Sequence, residues 1–311
     1  MTIEIFVENL TKNYHNQTSD RMALRGINLS IPSGQLFGLV GPDGAGKTTL
    51  IRILSTVINA SNGKAEIAGL DVHTQAEPVR RSIGYMPQSY SLYGDLTVEE
   101  NLKFFADLYA VPRSVLPERM NVLLDMARLQ DFRNKRSMHL SGGMKKKLAL
   151  ACAMIHEPRV LLLDEPTTGV DPVSRRELWK LLNQVVRTGL TVLVSTPYMD
   201  EAERCHQVGM LQNGSILSTG KPSELEAQYP YQMVEVKARP RDVMRDVVAQ
   251  SRDMISWRPV GDRVRIAVME GEKYAKRLEK DLRKARAEIL LLRNARIGME
   301  DVFIHLAQGR E

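Results

Sequence analysis

Apolar and polar positions alternate loosely along residues 3–9 and again along 23–31, the period of a strand with one covered face. Between them residues 15–21 are polar, which predicts a hairpin loop, and Pro32-Ser33-Gly34 ends the second strand in a turn. The pattern then changes. Gln35 to Val40 is almost continuously apolar and predicts a buried strand, and Leu50 to Leu54 predicts the opening of a helix. Short strands are predicted near 65–69 and 83–86. Helices are predicted over 97–109 and 115–128, where Val, Leu, Phe and Met recur at helical spacing. Ser141 stands as an N-cap ahead of a helix running from Met144. Arg159 to Leu163 makes another apolar strand that ends in Asp164 and Glu165. A helix over about 172–187 and a strand over 190–195 follow.

Strands alternating with helices predict an α/β fold, a parallel sheet covered on both faces, with the Asp164 strand beside the strand of residues 35–40. The first strands are expected to form a small antiparallel meander at one edge, and the helices over 97–128 a helical subdomain. Near Lys221–Glu224 the pattern changes again. From Tyr231 the order is strand (231–237), helix (240–250), strands (253–258 and 262–268), helix (271–285), strand (288–293) and a closing helix (298–308). This βαββαβ order is that of a ferredoxin-like α+β unit. The expected domains are 1–225 and 230–311.

Length and composition agree with one large and one smaller globular domain. No apolar run reaches the ~18 residues that suggest a membrane span. Met1-Thr2-Ile3-Glu4-Ile5 lacks the basic and then apolar character of a signal peptide, so a cytoplasmic location is expected. Cys152 and Cys205 are isolated, which fits two reduced thiols and argues for neither a disulfide nor a zinc site. The net charge of +6 is uneven: residues 231–311 carry 18 Lys and Arg against 13 Asp and Glu. Such a basic region suits anionic lipid, an acidic partner or nucleic acid, and equally a solvated surface.

The strongest chemistry lies between the strand ending at Val40 and the helix opening at Leu50. Gly41, Pro42, Asp43, Gly44, Ala45, Gly46, Lys47, Thr48 and Thr49 satisfy the phosphate-loop pattern G-x-x-x-x-G-K-[ST] at every required position. Backbone N–H groups at such a turn, with the positive end of the helix, hold polyphosphate, and the glycines admit it closely. Lys47 is expected to reach the β- and γ-phosphates, and the Thr48 hydroxyl to ligate Mg²⁺. A carboxylate at the end of a buried strand, Asp164, can bind the same Mg²⁺ directly or through its water, and Glu165 can act as general base toward the attacking water. Leu140-Ser141-Gly142-Gly143 makes a second anion cradle at a helix N-terminus. One nucleotide needs one phosphate loop, so the second cradle makes sense if it faces a nucleotide held by another subunit.

At these residues, and over residues 1–220, the chain resembles the nucleotide-binding subunits of ABC transporters. Leu140 to Gly143 matches that family's signature sequence, and Val160 to Glu165 its Walker B strand. The resemblance implies that Tyr14 stacks on adenine and that Gln88 is the Q-loop residue linking Mg²⁺ to the membrane partner. It also implies that Asp171 belongs to the D-loop, which runs across a dimer interface. Leu92 to Leu102, Tyr198 to Arg204 and Met299 to Ile304 resemble the ABC-2 exporter branch. That branch implies a separate ABC-2 type permease, whose coupling helix would dock after Gln88, and a homodimer or a heterodimer with another ABC ATPase at the cytoplasmic membrane face. One position departs from the family. After strand 190–195 it has a His that contacts the γ-phosphate, where this chain has Pro197, which offers no side-chain donor and no N–H. Three readings follow: the site hydrolyses slowly, a neighbouring residue supplies the contact, or the subunit pairs with a second, intact one. A weakened but working ATPase is expected. The rival readings are a soluble ABC ATPase acting on nucleic acid or ribosomes, and a regulatory ATP sensor. A single cassette, with no coiled-coil insertion and no aromatic-basic stripe, speaks against the first, so no nucleic-acid partner is expected.

Overall fold

The computed structural model describes residues 2–16, 19–89 and 92–308, and the side chains of residues 15–21 lie outside that description. The chain divides into two compact units, Met1–Pro222 and Ser223–Glu311.

The first unit opens with β1 (Ile3–Asn16) and β2 (Ser19–Pro32), paired antiparallel from Ile3↔Pro32 to Asn16↔Ser19. The expected hairpin is present, but its ladder runs well into the stretch 15–21 read as loop, of which residues 17 and 18 lie outside the described residues. Polar residues in a two-stranded ribbon keep their backbone pairing across the ladder, so polarity alone does not mark where the strands end. Next come β3 (Leu36–Val40), α1 (Lys47–Leu54), β4 (Asn62–Ile67), β5 (Leu70–Asp71), α2 (Ala76–Ser82) and β6 (Ile83–Met86). Helices α3 (Val98–Leu108), α4 (Leu116–Ala127) and α5 (Gly142–Met154) follow. Then the chain returns to strands: β7 (Val160–Asp164), α6 (Pro172–Arg187), β8 (Thr191–Thr196), α7 (Met199–Ala202), β9 (Gln207–Gln212) and β10 (Ser215–Gly220).

These strands form two sheets. The antiparallel one has the order β2-β1-β4-β5, so β4 lies against β1 instead of continuing from β2, and the expected meander is not what forms. The reason is β3: all five of its residues are buried, and so apolar a strand belongs inside a sheet covered on both faces. The second sheet has the order β10-β9-β3-β8-β7-β6 and is parallel except for β10. β7 is therefore not beside β3, as the sequence suggested; β8 lies between them, paired Val40↔Thr196 on one side and Asp164↔Ser195 on the other. Ile5, Val7, Leu24, Leu39, Leu50, Ile53 and Leu193 form the core joining the two sheets and α1. Val98, Leu102, Leu124, Leu148 and Cys152 form a separate core among α3, α4 and α5. Both cysteines are free and buried, and burial pushes both thiols well above their ordinary pKa.

The second unit opens within α8 (Pro222–Ala227) and continues through β11 (Gln232–Arg239), α9 (Arg241–Ala249), β12 (Met254–Val260), β13 (Arg263–Val268), α10 (Gly271–Lys284), β14 (Glu288–Ala295) and α11 (Met299–Gln308). Its sheet is fully antiparallel in the order β12-β13-β11-β14. Val234, Val236, Ile266, Leu278 and Leu282 place the core between that sheet and α10. Among the described residues of the whole chain, no helix is long and apolar enough to cross a membrane.

Candidate active site

In the parallel part of the sheet, the C-terminal ends of β3, β7 and β8 converge, the position where open α/β sheets bind ligands. From β3 the chain turns through Gly41–Gly46 into α1. Gly41 N–H donates to Thr196 O at 3.4 Å, Ala45 N–H to Pro42 O at 3.2 Å, and Gly214 N–H to Ala45 O at 2.9 Å, so both flanks of the turn are pinned. Gly46 caps α1 at φ 111°, and a Cβ there would lie 2.7 Å from Ala23 O, so only glycine fits. No side chain caps α1, which leaves its first N–H groups to an incoming anion. Pro42, Asp43 and Gly44 are the exposed crest of the loop, while Thr48 and Thr49 are half-buried in the first helical turn.

Lys47 is buried, and its ammonium donates to Gly41 O at 2.8 Å and Pro42 O at 3.0 Å, with Glu165 Oε1 at 3.5 Å. Asp164 Oδ1 accepts from Thr48 Oγ1 at 3.1 Å and from Ser195 Oγ at 2.7 Å. Glu165 takes a left-handed φ of 47°, a strained conformation for a side-chain-bearing residue and one that recurs at functional sites. Its N–H donates to Ser195 Oγ at 3.0 Å, and its Oε2 accepts from Gln88 Nε2 at 3.0 Å and Thr168 Oγ1 at 3.2 Å. The Gln88 carbonyl in turn accepts from the buried Lys146 ammonium at 3.2 Å. Burial lowers the Lys146 pKa, and the charges of Asp164 and Glu165 oppose that shift. Lys47, Thr48, Gln88, Asp164 and Glu165, with Ser195 between the two carboxylates, thus form one group around the mouth of the phosphate loop, joined by hydrogen bonds and the Lys47–Glu165 ion pair.

Ser141, Gly142, Gly143 and Asp171 stand in a second group. Ser141 Oγ accepts from Met144 N–H at 3.3 Å and caps α5, which begins at Gly142, two residues before the expected start. A Cβ on Gly143 would lie 2.4 Å from Ser174 Cβ and Oγ, so the start of α5 is pressed directly against the first turn of α6. Asp171 caps α6, accepting from Val173 N–H and Ser174 N–H at 3.0 Å each, and its bonds to the Ser174 hydroxyl and backbone hold its pKa below the ordinary range. Tyr14 is exposed on β1, with the Lys12 ammonium 5.2 Å from its ring centre. Pro197, half-buried directly after β8, brings no donor to the site.

Sequence reading did not single out Ser195, although it bonds both Asp164 and Glu165. The available signal was the switch from Leu193-Val194 to Ser195-Thr196, hydroxyls at the end of a fully buried strand. Lys146 was also passed over, hidden in a run of three lysines. A cavity of about 720 Å³ lined by Val115, Arg119, Met126, Ile155 and Arg159 shares none of its lining with this site. Among the described residues no three His, Cys, Asp or Glu side chains gather in a metal-ligating cluster.

The profile of the family described as ABC transporter matches residues 24–168. The chain is 39% identical over 224 residues to the probable multidrug ABC transporter ATP-binding protein YbhF of Escherichia coli, covering 72% of this chain but only 38% of that longer relative. It is 39% identical to the Nod factor export ATP-binding protein I of Ralstonia nicotianae, covering 70% of this chain and 67% of that one. With the protein of the same description from Paraburkholderia xenovorans it shares 33% identity, over 98% of this chain and 96% of the other. Among solved structures, an ATP-binding subunit of an ABC transporter superposes with a TM-score of 0.65 at 30% identity, covering 73% of this chain and 93% of that one. The dimeric post-hydrolysis ATP-binding cassette MJ0796 with ADP and phosphate superposes with a TM-score of 0.64 at 27% identity, covering 70% and 98%.

Proposed function

The chain belongs to the ABC transporter ATP-binding family, and on that premise we propose that it is the ATPase subunit of an export complex with a separate ABC-2 type permease. In this reading residues 1–225 are the nucleotide-binding domain and 230–311 an accessory domain. The subunit sits on the cytoplasmic face of the membrane through its permease. The observation that carries the reading is the group of Lys47, Thr48, Gln88, Asp164, Glu165 and Ser195 joined by hydrogen bonds and one ion pair at the strand ends. The export assignment is supported by relatives described as multidrug and Nod factor export proteins.

The phosphate-loop N–H groups and the start of α1 bind the triphosphate, and Lys47 exchanges its carbonyl partners for β- and γ-phosphate oxygens. Mg²⁺ fits the donors present: Thr48 Oγ1 and Asp164 Oδ1 lie 3.1 Å apart. A hydroxyl and a carboxylate oxygen this close would both hold a hard divalent cation. When bound, Mg²⁺ would supply positive charge to neutralise the phosphates. Glu165, oriented by Gln88 and Thr168, accepts a proton from the attacking water, and ADP and phosphate are released. Ser141–Gly143 of a second subunit, the same chain or a relative, closes over the nucleotide. Loss of the His donor at position 197 slows hydrolysis, by about 10²–10³ where a single stabilising donor is missing.

The basic character of residues 231–311 does not favour the nucleic-acid alternative. Glu235 pairs with Arg263 and Arg293 at 3.2 and 2.8 Å, and Asp301 with Arg258 and Arg265 at 2.8 and 2.7 Å, so these four arginines are already engaged by carboxylates of their own unit. Phosphate release from MgATP tests the enzymatic core. Wild type is expected to turn over only with Mg²⁺, Lys47→Ala to lose nucleotide binding, and Glu165→Gln to bind ATP with turnover reduced at least about 10²-fold. Glu165→Gln turnover equal to wild type would refute the assignment.

A further inference from the structure

The backbone ladder between β7 and β8 ends at Asp164↔Ser195. Beyond that pair the first segment leaves the sheet through Glu165 and Thr167 toward Asp171, while the second keeps Thr196 paired with Val40 of β3 and then runs through Pro197 to Tyr198. Main-chain pairing no longer fixes them against each other, yet the catalytic carboxylate stands in this stretch.

A side chain takes over where the ladder stops. Glu201, on α7, is fully buried, and its Oε2 accepts from Thr196 Oγ1 at 2.6 Å and from Thr167 Oγ1 at 3.0 Å. Both threonines are themselves fully buried. The Thr196 hydroxyl also accepts the Tyr198 N–H at 3.1 Å, and the Thr196 carbonyl accepts the Gly41 N–H that opens the phosphate loop. Thr167 is two residues from Glu165, and its neighbour Thr168 donates to the Glu165 carboxylate. The other Glu201 oxygen, Oε1, lies 3.6 Å from Arg175 Nε in α6 without an aligned hydrogen bond, and the Arg175 guanidinium covers the Tyr198 ring at 4.4 Å. Burying a carboxylate this completely is costly unless its partners are fixed, and an apolar residue would pack at less cost. The carboxylate is accounted for if its task is to hold those partners together.

We propose that Glu201 is a positioning residue for ATP hydrolysis, its buried carboxylate tying the Thr167 segment to the Thr196 segment and so fixing Glu165 relative to the phosphate loop. Fully buried, it acts only through its protein partners. Its effect passes through Thr167 and Thr168 to Glu165, through Thr196 to Gly41, and through Arg175 to the helix whose first turn abuts Gly143. The inference rests on the ATPase reading above for its kinetic consequence but not for the tie itself.

Glu201→Gln keeps the size of the side chain and removes its charge. Thr167→Val and Thr196→Val each remove one hydroxyl and serve if Glu201→Gln does not fold. The expected result is a kcat for MgATP lowered about tenfold or more, with KM within about threefold, since small misplacements cost turnover more than binding. Backbone hydrogen exchange is expected to speed up at residues 167–170 and at Thr196, Tyr198 and Met199 together and to stay unchanged at 43–46. A Thr167→Val/Glu201→Gln double variant is expected to be no worse than Glu201→Gln alone. Unchanged kcat in folded variants, kcat and KM falling with the unfolding midpoint, or faster exchange in one segment only would each overturn the proposal. If wild type hydrolyses no ATP, the ATPase reading fails, and the paired exchange response alone decides the tie.

Discussion

Proline at position 197 is the residue where sequence and proposed chemistry pull apart. Around it the site is complete: Lys47 and Thr48 face the carboxylates, Ser195 braces both of them, and Gln88 orients Glu165. Proline directly after β8 subtracts one donor without disturbing its neighbours, because the Thr196 hydroxyl and the Tyr198 N–H remain paired. Replacing it with histidine restores a side-chain donor at this position. Single-turnover hydrolysis by Pro197→His is expected to exceed that of wild type by about tenfold or more. Equal rates would mean that the site does not depend on this donor. Residue by residue, the phosphate loop was legible because its spacing has one physical purpose. Ser195 was not legible, because a serine at a strand end looks the same whether it braces two carboxylates or meets solvent.

At the scale of elements, α6 shows how a cap doubles as site architecture. Asp171 bonds two N–H groups of its first turn, Pro172 fills the position that needs no N–H, and Leu178, Leu181, Leu182 and Val185 recur on the buried face. The helix expected over about 172–187 has the observed bounds, although its Asp171 cap was not read from the sequence. Strand adjacency was harder. The order β3-β8-β7 depends on which apolar strand enters the sheet between two others, and three runs of aliphatic residues are interchangeable by composition. The Asp171 cap also fixes a dependence on pH. Its pKa is depressed in the folded chain, so its contribution to stability is present above the ordinary Asp value near 4 and is lost as pH falls through the lower folded value. Asp171→Ala is expected to unfold at a lower temperature than wild type at pH 7, with the difference shrinking below about pH 4. Thermal unfolding followed by circular dichroism at both pH values checks this, and a difference that grows on acidification would contradict it.

At the scale of the whole molecule, the chain carries two anion cradles where one nucleotide needs one. The phosphate loop leads into α1, and the signature caps α5, whose start is locked to α6 at Gly143 and Ser174. In the proposed function each cradle is half of a clamp, and a bound triphosphate would supply the charge that draws a second subunit's signature over it. On that reading closure stores the free energy that the permease converts into transport, and hydrolysis at Glu165 would release it. The second unit was legible as a βαββαβ pattern because its strands and helices alternate with short connections, whereas its internal Arg–carboxylate pairing could be seen only in three dimensions. The most direct measurement is the mass in solution of Glu165→Gln protein, alone and with its permease, with and without saturating MgATP. The clamp requires a monomer without nucleotide and a dimer with it, reverting to monomer when Ser141→Arg blocks the second cradle. A protein that stays monomeric under MgATP, even beside its permease, would contradict it.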